Sequence, residues 1–247
     1  MGVIAAFQFL TIIPFRRETD VGGLGRALAF FPFVGLVIGG LLYGLDRLLE
    51  LAFPVALVNI LLIIALIVVT RALHFDGFID TCDGLAGGST PEARLEIMRD
   101  SRVGGFGVVG ACCLILLLYV SLSILPDEWR MEALILMPAI ARWTMVYAVT
   151  AYPYARGGEG LGTGFKDGAR WPRAAVATAI TLAACMGLMW LDGLAVMAAA
   201  WFIAFIAATY LGRKLGGLTG DTYGAINEVV KVAVLILIPL ITWSYGI

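Results

Sequence analysis

The chain has 247 residues, 61% of them apolar and 14% charged, with a formal net charge of -1 and a mean hydropathy of +0.94. Soluble domains carry about 45–50% apolar residues, so this composition excludes an ordinary soluble domain and implies an integral membrane protein. No basic tail or aromatic-interleaved basic patch points to nucleic acid, and the four cysteines, Cys82, Cys112, Cys113 and Cys185, lack CxxC spacing and read as reduced core residues.

The N-terminal stretch MGVIAAFQFLTIIPFRR places its apolar run before its arginines, the reverse of a secretory signal, and Ala6 spoils a myristoylation signal. Ended by Pro14, the run is short for a crossing, which needs about 20 apolar residues. A short interfacial or re-entrant helix is expected there. Seven later segments are long enough to cross: 24–45, 55–73, 103–125, 133–152, 174–191, 194–211 and 229–245. The 174–211 pair requires a turn at Asp192-Gly193. Gly35, Gly39, Gly107 and Ala111 are spaced for close helix packing, and no internal repeat of the kind common in transporters is present.

Four polar segments, 16–26, 71–102, 154–173 and 212–228, then fall on one side. Of the 17 Lys and Arg, only Arg47 and Arg130 fall on the opposite side and only Arg142 inside a span. The positive-inside rule makes the basic side cytoplasmic. The expected fold is therefore all-α: a single membrane-embedded catalytic domain over 1–247, a polytopic bundle of about seven transmembrane helices with cytoplasmic site loops.

Segment 71–102, RALHFDGFIDTCDGLAGGSTPEARLEIMRDSR, holds Asp76, Asp80, Asp83, Glu92, Glu96 and Asp100, four arginines and the only histidine, His74. Asp76, Asp80 and Asp83 fall at i, i+4 and i+7, which places all three carboxylates on one face of a helix. Their mutual repulsion invites a hard cation, and Mg2+ is commonly held by one or two carboxylates with substrate phosphates. The plain alternative is a solvated acidic loop. Ser89-Thr90-Pro91-Glu92 reads as a capping box that starts a helix running through Arg94, Glu96, Arg99 and Asp100 to Arg102. Its charges form either a shell for a diphosphate and its metal or an ordinary ion-paired face.

The second loop, PYARGGEGLGTGFKDG, lacks the Gly-Lys-Ser/Thr of a Walker A sequence, although Arg156 and Lys166 could meet phosphate. The third, GRKLGGLTGDTYGAINE, ends in Asp221, Asn227 and Glu228 at an expected helix start, where acids also serve as caps. Arg142 within a span is half of a buried pair or a functional residue. His74 is a base, a ligand or a structural residue.

The string LHFDGFIDTCDGLAGG followed by RLEIMRDSRVGGFGVVG resembles the cobalamin synthase family, also called adenosylcobinamide-GDP ribazoletransferase, whose members show L-H-x-D-G-x-x-D-x-x-D-G and I-M-[KR]-D-S-x-x-G-x-x-G. FFPFVGLVIGG, ARW, YPYARGGEGLG and GGLTGDTYGAINE extend the resemblance over nearly the whole chain, with Cys82 where the family often has Ala. The resemblance implies a multi-pass inner-membrane enzyme that joins adenosylcobinamide-GDP to α-ribazole or its 5′-phosphate and releases GMP. The expected site has Mg2+ on Asp76, Asp80 and Asp83, and Asp83, Asp100, His74 and Arg102 as catalytic candidates. Arg94, Arg99, Arg102, Arg156, Lys166, Asp221 and Asn227 are the substrate-binding candidates. Membrane lipid is an expected partner and a homo-oligomer is compatible with this picture. A CDP-alcohol phosphotransferase is the near rival, but its D-G-x-x-A-R opening fails at Asp80-Thr81. A small-solute transporter is the distant one, disfavoured because the charges gather in loops.

Overall fold

The computed structural model describes residues 2–13, 25–156 and 161–242, and among these all regular structure is helical. The helices are α1 (Gly2–Leu10), α2 (Phe31–Leu49), α3 (Val55–Val69), α4 (Leu73–Gly87), α5 (Pro91–Ile97), α6 (Gly105–Ser123), α7 (Arg130–Ala151), α8 (Leu161–Gly168), α9 (Trp171–Leu215) and α10 (Gly220–Thr242). Five helices among the described residues are long and apolar enough to cross a membrane, or six if the bent pair α3–α4 makes one crossing, against the seven crossings read from sequence.

Helix α9 accounts for part of that difference. At 1.5 Å per residue its 45 residues would extend about 68 Å, over twice the hydrocarbon thickness. It does not run straight: Trp190 takes φ 52 and ψ -129, and a Cβ at Gly193 would collide with the carbonyl of Cys185. Residues eight apart in a continuous helix stand about 12 Å apart, so α9 folds back as two arms. The reversal expected at Asp192-Gly193 occurs at Trp190.

α1 is nine residues long, too short to cross, and buries Ala5, Ala6 and Leu10 against the bundle. α7 is the central helix. α2 lies against it at Gly35 and Gly39, where an added Cβ would come within 2.5 Å of Ala139 Cα and Ile135 Cα. Small residues that admit a neighbouring backbone replace the hydrophobic drive that lipid does not supply between helices.

The end of the bundle formed by residues 46–59 and 122–130 is tied by an ion pair that sequence reading missed. Arg130 donates through Nε and Nη2 to Asp46 at 2.9 and 2.6 Å, and through Nη2 to Asn59 at 2.7 Å. The two charged side chains are 3% and 0% exposed. Arg47 also donates to Asp46, at 2.9 Å, so Arg130→Ala leaves that carboxylate half-paired and should lose about 1–3 kcal/mol in reversible unfolding from detergent micelles. The double replacement Asp46→Leu with Arg130→Met should recover most of that loss. A deficit as large in the double variant would show that the pair contributes net attraction beyond mutual compensation.

The loops 71–73, 98–104, 152–156 and 216–220 gather at the opposite end. Of the basic segments expected on one side, the described parts of 71–102, 154–173 and 212–228 meet at one end, while 16–24 lies outside the described residues. Lys231 is the exception: it is 4% exposed within the bundle and pairs with Glu228 at 2.6 Å. Arg16 and Arg17 lie outside the described residues.

Candidate active site

The chain turns by 91° between α3 and α4. Arg71 and Ala72 make that turn with φ values of 52 and 54, a left-handed conformation that costs residues with a Cβ roughly 1–2 kcal/mol each. Ala72 N–H donates to Ile67 O at 2.8 Å, and Ile12 N–H to Val69 O at 2.8 Å, which anchors the turn to the end of α1. α4 consequently leaves the direction of α3 and packs against the first turns of α6 and α10, which brings its acids to that end of the bundle. Ala72→Gly should relieve part of the strain and raise the unfolding midpoint without altering turnover; a lowered midpoint would show that the bend is not strained.

Two glycines let α4 cross α10 closely. A Cβ at Gly77 would stand 2.8 Å from Asp221 Cα, and one at Gly224 would stand 2.9 Å from His74 O. The crossing brings the first turn of α10, with Asp221, against Asp76 and Asp80. Asp221 is held in turn by Arg156, whose Nη2 lies 2.7 Å from its carboxylate and donates to Met98 O at 3.4 Å. Arg156 is positioned by two strand-like bonds, Leu218 N–H to Pro153 O at 2.9 Å and Ala155 N–H to Leu218 O at 2.8 Å. Gly217 makes room for them: its φ is 152 and a Cβ there would meet Ala155 N at 2.8 Å.

Asp80 reports the resulting field. Its carboxyl is pushed up to about 6 by partial burial first, then by Asp76 and Asp221, with Arg156 opposing and Asp83 adding. Asp76, Asp80 and Asp221 thus form a mutually repelling group with one nearby arginine. Such hard oxygen donors fit a divalent cation that takes its other ligands from substrate phosphates and water. Among the described residues no three His, Cys, Asp or Glu stand preassembled around a metal position. Mg2+ seldom uses an all-protein cage, so a donor set completed by substrate remains chemically suited to it.

Asp83, the third acid of the expected metal set, has both oxygens engaged by backbone N–H groups. It is on α4 as expected, yet 8% exposed, and its two oxygens accept from Gly104 N–H at 2.8 Å and Gly107 N–H at 2.7 Å. It caps the N-terminus of α6, where a carboxylate satisfies orphan donors and complements the helix dipole. The i, i+4, i+7 pattern correctly gave a shared helix, but the third acid beside Asp76 and Asp80 is Asp221.

The expected helix over 90–102 ends at Ile97. Its cap is Thr90, whose hydroxyl accepts from Ala93 N–H at 3.2 Å. Glu96 with Asp100, and Arg99 with Arg102, therefore do not share a helix face. Arg102 instead grips Asp100 through Nε and Nη2, at 3.0 and 2.6 Å, which holds the Asp100 carboxyl down at about 2. A carboxylate that acidic is a poor proton acceptor near neutrality. Arg102→Lys should accordingly keep kcat and KM within about threefold of wild type, since exposed ion pairs contribute little. A hundredfold loss of kcat/KM would restore Arg102 to the substrate.

Arg99 is exposed near the site and lies within electrostatic reach of Tyr154. Arg94 donates to Lys214 O at 3.1 Å, closing the end of α9. Lys166 donates to Val149 O, Thr150 O and Tyr152 O at 2.9, 3.4 and 2.5 Å, which caps the end of α7, and its burial lowers its pKa. His74 and Asn227 are 2% and 0% exposed, inside the bundle and not on its surface. Asn227 faces Met145 through its amide nitrogen. Sequence reading missed this because it began the last span at 229, whereas α10 starts at Gly220.

The family model for cobalamin-5-phosphate synthase matches residues 2–239. Curated relatives named adenosylcobinamide-GDP ribazoletransferase include those of Geotalea daltonii, 42% identical over 93% of both chains, and Desulforamulus reducens, 37% identical over 95% of this chain and 94% of the relative. The protein of that name from Clostridium acetobutylicum is 33% identical over 99% of this chain and 98% of its own. No solved structure matches the chain.

Proposed function

The chain belongs to the cobalamin-5-phosphate synthase family, and from that premise we propose that it joins adenosylcobinamide-GDP to α-ribazole or its 5′-phosphate, releasing GMP, at the end of the bundle where Asp76, Asp80, Arg156 and Asp221 meet. The observation that carries this placement is the group of three carboxylates from two helices around Asp80, with Arg156 reaching across to the 98–104 segment. A ribazole hydroxyl oxygen forms the new bond to the phosphorus attached to cobinamide. The bond from that phosphorus to the GMP oxygen breaks, GMP departs with the electron pair, and the hydroxyl proton passes to water at this open end.

The protein's part is positioning and charge compensation. Asp76, Asp80 and Asp221 would hold the divalent cation, Mg2+, which when bound supplies positive charge to the phosphoryl oxygens. Arg156 keeps Asp221 turned toward α4 and presents its remaining donors on the same side, and the exposed Arg99 supplies a planar fork that suits phosphate. The buried bundle beneath fixes these groups on rigid elements.

The basic residues at this end support a cytoplasmic orientation in a multi-pass cell membrane. Incubation of the purified full chain with both substrates should yield GMP and a corrinoid with the mass of cobalamin or its 5′-phosphate. GMP formation that ignores the ribazole acceptor would contradict the transferase reading. For orientation, a cysteine at Ser89 in a chain lacking its four native cysteines should resist an impermeant thiol reagent in spheroplasts and react in inverted vesicles. The opposite pattern would reverse the topology.

A further inference from the structure

Below the surface site the bundle holds a second polar group that the reaction does not use. Arg142 of α7 is 1% exposed, and His74 of α4, Asn227, Glu228 and Lys231 of α10 are 2%, 0%, 2% and 4% exposed. Glu228 pairs with Lys231 at 2.6 Å and is also the charge nearest in effect to Arg142. One carboxylate is therefore shared between two cations. Arginine does not relieve the imbalance by losing its proton, because its guanidinium stays charged in proteins. His74 lies within electrostatic reach of both cations.

The guanidinium is only partly used. Nη1 of Arg142 donates to Pro138 O on its own helix at 3.0 Å, while Nε and Nη2 have no partner, nor do His74 Nε2 and the Tyr223 hydroxyl. Nε and Nη2 form one edge of the guanidinium, with two N–H bonds pointing the same way. The same edge grips a carboxylate elsewhere in this protein: Arg130 holds Asp46 with it at 2.9 and 2.6 Å, and Arg102 holds Asp100 at 3.0 and 2.6 Å. In Arg142 that edge is buried and makes no hydrogen bond to the protein, with Glu228 acting on it only through space and Asn227 Oδ1 likewise unpartnered. A buried donor pair left unmet costs several kcal/mol, more so on a cation.

We propose that Arg142, with Lys231 and His74 near it, forms a buried oxyanion site that takes a phosphate group on the Nε–Nη2 edge. Two oxygens of one phosphate meet that edge bidentately, and the extra negative charge offsets the second cation. Bridging water would satisfy the donors but leave the net positive charge in place, which is why an anion is the better occupant. The phosphate comes either from solution or from a substrate phosphoryl group, the latter resting on the ribazoletransferase reading.

The test is thermal unfolding of the purified full chain in detergent, titrated with inorganic phosphate against chloride at equal ionic strength. Wild type should show a saturable phosphate-specific rise of roughly 3 °C or more. The rise should vanish in Arg142→Gln and in the charge-keeping Arg142→Lys, and persist in Arg156→Gln, whose change lies at the surface site. Without phosphate, Arg142→Gln should be at least as stable as wild type, since it removes an uncompensated buried charge. If Arg142→Gln does not accumulate, Arg142→Lys carries the comparison. Absence of a phosphate-specific rise in wild type, or a rise that survives both Arg142 variants, would overturn the site. In the source arm, saturating α-ribazole 5′-phosphate removes the response to inorganic phosphate if the ester occupies the site, whereas α-ribazole leaves it intact. These readouts require no turnover, so they stand or fall separately from the catalytic reading.

Discussion

Asp80→Asn should abolish GMP release, by at least a hundredfold in kcat/KM, while yielding a folded protein slightly more stable than wild type at neutral pH. Both halves follow from one property. The Asp80 carboxyl titrates at about 6 in the fold and near 3.9 in an unfolded chain, so the folded state holds that proton more tightly. Stability is therefore greatest below the unfolded value and falls as pH rises through the folded one. Asn escapes the penalty of ionisation. The gain should be on the order of 1 kcal/mol or less, because the group is only partly buried and solvent screens it. The activity loss arises because the neutral amide withdraws a charged oxygen from the metal and phosphate site. Urea unfolding at pH 5 and pH 8, beside the turnover assay, checks both. A destabilised variant that still turns over would make Asp80 a structural residue.

The second large effect separates Asp221 from Asp83. Asp221→Asn should lower kcat/KM by about a hundredfold or more with little change in stability, and raise the Mg2+ concentration needed for half-maximal activity. Asp83→Asn should do the reverse. It weakens two charge-assisted bonds at the α6 N-terminus, costing about 1–2 kcal/mol of stability. Its Mg2+ requirement should stay as in wild type. If Asp83→Asn shifted the Mg2+ dependence and Asp221→Asn did not, the acids on α4 alone would form the site.

The difference between those two aspartates marks where sequence reading stopped. Long apolar runs separated by basic loops sufficed for an all-helical membrane bundle with its polar loops at one end, because lipid imposes length and burial rules that act locally. The α4 helix and its acid spacing were legible for the same reason. Which acid faces the site was not, since it depends on α4 crossing α10 at Gly77 and Gly224 and on α6 starting beside Asp83. Lys166 looked like a phosphate ligand because its job, capping α7, requires knowing where α8 folds back. The polar GDTYGAINE stretch reads as the end of a loop with a helix starting at its acids, yet all of it from Gly220 belongs to α10, where Asp221 meets Arg156, Asn227 meets Met145 and Glu228 pairs with Lys231. Composition alone cannot distinguish a hydrated loop from a helix whose polar face is covered by other polar groups.

The most direct measurement is GMP release from adenosylcobinamide-GDP by the purified wild-type chain, with and without α-ribazole, before and after removal of divalent cations. The expected result is release that requires the acceptor, disappears on chelation and returns with Mg2+, with Asp76→Asn, Asp80→Asn and Asp221→Asn each failing to recover at Mg2+ concentrations that restore wild type. Undiminished acceptor-dependent release after chelation, or full recovery in all three variants, would contradict a metal and diphosphate site at these carboxylates.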